Sequence, residues 1–108
     1  MTEKDKLELA AKAMGLRLEW DGPPDKWHPM YYEGKTYHAF EPHTNQADSD
    51  RMACKLRIEL RHRSGKVWAS LSTNSIIQSV THNNTDEDVC RAVREARLMV
   101  AVEIGRAK

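Results

Sequence analysis

The chain has 108 residues, 40% of them apolar and 31% charged, with a formal net charge of +1. That size suits one domain with one core, and the balance excludes a disordered chain and a global field selecting nucleic acid or an anionic membrane. No apolar run approaches the roughly 18 residues that a membrane span needs.

In chain order, the first element is a helix. Thr2 is placed to cap it, Leu7, Ala10, Ala11 and Met14 recur at helical spacing, and Gly15 falls where a left-handed C-terminal cap is wanted. The opening MTEKDKLELAAKAMG is too charged for a secretory signal, so a cytoplasmic setting is expected. In LRLEW, Leu16, Leu18 and Trp20 alternate with Arg17 and Glu19, the pattern of a half-buried strand. DGPPDKWHP, with three prolines and a glycine, is expected to be an irregular loop. MYYEGKTYHAF then reads as a short hairpin turning at Glu33-Gly34.

After the stretch HAFEPHTNQADSD, ADSDRMACKL reads as a helix with Met52, Ala53 and Leu56 inward, capped by Asp48, Ser49 or Asp50. Leu56, Ile58 and Leu60 alternate with Arg57, Glu59 and Arg61, which predicts a strand from about Leu56; a helix continued through Leu60 is the alternative. RSGK is a turn, VWASLS and SIIQSVTH are two further strands, and Thr73-Asn74 joins them tightly. Thr85 and Asp88 have the spacing of a capping box. The last helix runs from about Asp86 to the end, with Val89, Val93, Ala96, Val100 and Ile104 inward and LMVAV making its middle apolar nearly all round. Glu87–Arg91 and Arg91–Glu95 are expected as pairs on its solvent side. Cys54 and Cys90 stand alone on helical segments and are expected to be buried free thiols. The expected fold is a single α+β domain over residues 1–108, a mainly antiparallel sheet packed by helices. Its order is helix, strand, hairpin, helix, three strands, long C-terminal helix.

This order, with three local signatures, resembles the phage ABA sandwich domain family of small bacteriophage and prophage proteins. The first signature is LELAAKAMGLRLEW. The second is Phe40-Glu41-Pro42 followed by the acidic Asp48–Asp50 and RMACKLRIEL, and the third is AVREARLMVAVEIGRA. The likeness spans roughly Leu7 to Ala107; Glu41 stands where the family pattern has Asn, and the helix-to-strand join is shorter. It implies an α/β/α sandwich-like layering and a phage or prophage origin, and it supplies no activity and no catalytic residues.

Chemistry-bearing motifs are sparse. Zinc needs three or four converging ligands, and the five histidines lack the tight pairs that mark such sites. His38 and His43 are the closest pair, with Asp48 and Asp50 as further oxygen donors, but aspartates just before a helix are better explained by its positive end. His62 and His82 read as exposed or partly buried surface residues. There is no GxSxG, no clustered glycine for phosphate, and no context that would lower the pKa of either cysteine. Glu41, Asp48 and Asp50 read as solvated loop carboxylates. No catalytic site, metal or cofactor is expected, and a metal-dependent enzyme at the His38–Asp50 loop is the third reading after the two binding readings.

Two features remain for binding. KLRIELRHRSGK carries Lys55, Arg57, Arg61, Arg63 and Lys66, with His62, against Glu59. Alternation places Arg57, Glu59, Arg61 and Arg63 on one face, a stripe suited to phosphates with Trp68 nearby for stacking. Helix, three strands, helix from Asp48 onward is also the order of double-stranded-RNA-binding domains, yet Asp86, Glu87 and Asp88 stand where those domains place lysines. The second feature is the aromatic excursion. Trp20, Trp27, Tyr31, Tyr32, Tyr37 and Phe40 are six of the seven aromatics, suited either to a protein contact or to a small core of their own. The leading expectation is a non-enzymatic protein contacting a host or phage protein through this excursion in the host cytoplasm. Nucleic-acid binding by Lys55–Lys66 is the alternative.

Overall fold

The structure, a computed structural model, describes residues 2–22, 28–71 and 76–108. Its elements are α1 (Glu3–Ala13), β1 (Glu19–Asp21), β2 (His28–Glu33), β3 (Thr36–Ala39), α2 (Gln46–Leu56), β4 (Ile58–Arg63), β5 (Lys66–Leu71), β6 (Ile77–Thr81) and α3 (Asp86–Arg106). The α+β class, the element order and the long terminal helix are those expected. Where the sequence pattern suggested one sheet, the strands form two three-stranded antiparallel sheets, β1-β2-β3 and β4-β5-β6. The Thr73-Asn74 connection and the Pro23–Trp27 part of the proline-rich loop lie outside the described residues.

Local chemistry sets the boundaries. Thr2 Oγ1 accepts from the Asp5 N–H and the Asp5 carboxylate accepts from the Thr2 N–H, so two orphan donors of α1 are satisfied reciprocally. β2 begins at His28, earlier than expected, and takes in Pro29. Proline is tolerated because it sits where the β2–β3 ladder stops: the Phe40 N–H donates to the Pro29 carbonyl, and proline has no N–H to return. The hairpin turns at Gly34-Lys35, one residue later than expected, with Glu33 opposite Thr36.

The cap of α2 is Asn45, a turn earlier than the expected Asp48–Asp50. Its side chain accepts from the Asp48 N–H at 3.0 Å, which frees the Asp48 carboxylate to accept from the Glu41 N–H at 2.9 Å. That second bond ties the Phe40–Pro42 segment to the helix start. At the other end, Arg57 adopts the left-handed conformation, φ +58°. The helix therefore stops at Leu56 and the strand begins at Ile58, which decides against a helix continued through Leu60.

Thr85 caps α3, accepting from the Asp88 N–H. The capping box is incomplete, because the Asp88 carboxylate reaches the Asn83 N–H at 2.9 Å instead of the Thr85 N–H. Arg91 pairs with Asp88 at 2.7 Å and Glu95 at 2.6 Å, so Asp88 replaces the expected Glu87. Both cysteines are exposed rather than buried, lying on the outer sides of α2 and α3.

There are two cores, and α3 serves both. Leu98, Ala101 and Val102 pack with Leu7, Ala10 and Ala11 of α1 and its C-cap Met14, with Met52 of α2, with Tyr31 of β2 and with Phe40 just after β3. Ala92, Val93, Ala96 and Val100 pack on Val67 and Ala69 of the second sheet. At 3.6 residues per turn these two sets fall on opposite sides of the helix. α3 therefore lies between α1 on one side and the second sheet on the other, and a helix apolar nearly all round is what that position requires.

Candidate nucleic-acid interface

The register of the second sheet separates its faces. Arg61 lies opposite Trp68 and Arg63 opposite Lys66, while Trp68 lies opposite Ser79 and Ser70 opposite Ile77. Cross-strand partners point the same way, so Glu59, Arg61, Arg63, Lys66, Trp68, Ser70, Ile77 and Ser79 share one face. Val67, Ala69, Leu60 and Val80 point the other way, onto α3. With the inner face covered by α3, the outer face is open among the described residues.

Three cations stand on this face against one anion, Glu59. The Arg63 guanidinium carbon lies 5.6 Å and the Lys66 Nζ 5.2 Å from the centre of the Trp68 ring, both within cation–π range. Arg61, Arg63, Trp68, Ser70 and Ile77, with His62 at the rim, line a depression of about 670 Å³. Ile77 is 62% exposed, an apolar side chain left in solvent at the border of this hollow.

Not all of the expected basic stretch belongs here. Arg57 is the left-handed cap of α2 and precedes the strand, so the alternation that would have added it to Arg61 and Arg63 is broken at that residue. It lines a separate depression with Asp50, Cys54, Glu59 and Arg97. Lys55 lies in the last turn of α2. The phosphate-suited set is thus Arg61, Arg63 and Lys66. Trp68 belongs with it, and the alternation of VWAS already carried that signal: Trp68 is in phase with Lys66, not with Val67.

The aromatic excursion divides. Tyr31 and Phe40 are buried in the first core, their rings edge to face at 6.2 Å, and are withdrawn from any contact surface. Trp20 is half-buried, its Nε1 donating to Glu8 at 3.1 Å and the Lys4 ammonium lying 5.2 Å from its ring. Tyr32 and Tyr37 lie opposite each other on β2 and β3, stacked at 4.4 Å and 6° and exposed by 59% and 38%. Trp27 lies outside the described residues.

His38 and His43 are not brought together. His38 packs beside the Tyr31 ring at 5.4 Å, whereas His43 Nε2 lies 3.3 Å from a Glu3 carboxylate oxygen. Asp48 is engaged by the Glu41 N–H, and the Arg97 guanidinium, with Gln46, holds the Asp50 carboxyl below the usual range. Among the described residues no three His, Cys, Asp or Glu side chains gather as metal ligands. No described helix is long and apolar enough to cross a membrane. No protein-family model, no curated protein and no solved structure matches the chain.

Proposed function

We propose that this chain is a non-enzymatic binding module of phage or prophage origin, and that the open face of its second sheet binds nucleic acid. The observation that carries the reading is the placement of Arg61, Arg63 and Lys66 on a single helix-free face, around Trp68. On a chain of net charge +1 such a local excess supplies phosphate contacts that overall charge does not. The phage origin rests on the three sequence signatures, and action in the host cytoplasm is proposed together with it.

Three neutralised phosphates give a slope of log affinity against log salt of about −2 for a single strand and nearer −3 for a duplex. Binding of a labelled oligonucleotide, followed by fluorescence anisotropy across salt concentrations, is expected to show such a slope. The triple variant Arg61→Ala, Arg63→Ala, Lys66→Ala is expected to flatten it. Unchanged affinity in the folded triple variant would remove this face from the function.

A second reading has its own observation, the exposed and stacked Tyr32–Tyr37 pair. Exposed tyrosines in a fixed geometry are common anchors of protein interfaces. A host or phage protein captured by the immobilised chain, and lost with Tyr32→Ala and Tyr37→Ala, would support it. Capture that survives both substitutions would discard it.

A further inference from the structure

We infer that the ligand of this face is a single strand of nucleic acid, one base of which stacks on Trp68 in the depression between Arg61 and Ile77. The inference rests on the nucleic-acid reading above and is carried by the aromatic and apolar groups of the face rather than by its charge.

A duplex hides its bases' flat faces inside its own stack, so a protein reads it by sending a helix or a two-stranded ribbon into a groove. Among the described residues nothing on this side of the second sheet projects that way. The face is three strands wide, about 10 Å from β4 to β6. Beside its cations and Ile77 it carries short or flat side chains, Ser70, Ser79 and the Trp68 indole. A single strand presents unstacked bases, and an indole on an open sheet is a platform for one of them. Ile77, largely exposed, gives that base an apolar edge, and the Ser70 and Ser79 hydroxyls offer hydrogen bonds beside it.

The cations fit the same geometry. Arg63 and Lys66 stand over the half-buried indole, 5.6 and 5.2 Å from its centre, so a stacking base takes the place of one of these cations and turns it toward the adjoining phosphate. Arg61, directly across from Trp68 on β4, extends the row along the strand. The start of α3, where a duplex-clamping module of this element order would need positive charge, carries Asp86, Glu87 and Asp88. Asn84, just before that helix, accepts from the Gly65 N–H, so these carboxylates stand beside the Arg63–Lys66 turn and close that end of the row to a phosphate backbone.

The test is a titration of the full chain with fluorescein-labelled oligothymidylate or oligouridylate of about twelve nucleotides and with a duplex of similar length. Both single strands are expected to bind at least about tenfold more tightly than the duplex. Trp68→Ala is expected to weaken single-strand binding roughly fivefold to a hundredfold, the range of one lost stacking contact, while Trp68→Phe retains most of it. Far-UV circular dichroism and a melting curve establish that both variants are folded. Indole emission should fall on binding in the parent chain and lose that component in Trp68→Phe. Equal or tighter duplex binding, or a folded Trp68→Ala variant binding as the parent does, overturns the inference while the nucleic-acid reading stands. Failure to bind any of these ligands overturns both.

Discussion

Gly105 marks the closest approach of α3 to α1. A Cβ at that position would overlap the carbonyl of Leu9 and lie 2.7 Å from its carbonyl carbon, and backbone cannot rotate aside as a side chain can. Gly105→Ala would gain about 1 kcal/mol of helix propensity and lose more to overpacking, for which about 1–3 kcal/mol is usual and a backbone obstacle the severe case. The variant is therefore expected to be less stable by on the order of 2 kcal/mol, the difference of those two effects, read as a lower urea midpoint at unchanged slope. A variant as stable as the parent would mean that the helices do not cross so closely. In the sequence this residue is only a glycine inside an apolar helical run, and what needs it is a partner nearly a hundred positions away. Arg57 has the opposite character. Its left-handed conformation is local, but nothing in KLRIEL distinguishes it from the arginines that follow.

The start of α3 shows how an element is secured by charge. The Asp88 carboxyl is held below the usual range chiefly by the Arg91 guanidinium and then by the Asn83 N–H. Its pKa is lower folded than unfolded, so its contribution to stability is complete above the unfolded value of about 4 and is lost as pH falls through the depressed folded value. Asp88→Asn is accordingly expected to melt below the parent at neutral pH, with the gap narrowing as the pH is taken below about 4. A gap independent of pH would show that the carboxylate's charge does not matter there. Arg91 adds a bond to the Thr81 carbonyl, which ties the helix start to the end of β6. Thr85 and Asp88 were visible in the sequence as a cap; that the carboxylate passes over its own cap to Asn83 depends on the path of the incoming chain.

Across the whole molecule, α3 makes two cores into one cooperative unit. Met52→Ala in the first core and Val67→Ala in the second are each expected to cost on the order of 2–4 kcal/mol and to lower the same transition. Unfolding followed through Trp20 and through Trp68, in variants retaining one or the other, should superimpose, and two separated transitions would show that the cores unfold independently. The sequence by itself determined the order of helices and strands and the inward stripes of the helices, because hydrophobic periods of 3.6 and 2 are local properties, although Cys54 and Cys90, expected inside, lie outside. It also placed Trp68 near the basic strand. Only the tertiary structure decided that the strands divide into two sheets, that Tyr31 and Phe40 enter a core while Tyr32 and Tyr37 stay outside, and that Arg61, Arg63 and Lys66 surround Trp68 while Arg57 does not. Those choices depend on which distant surface covers which face. Periodicity marks a face as apolar or polar, and the partner that buries it, or leaves it open to a ligand, is settled when the elements pack.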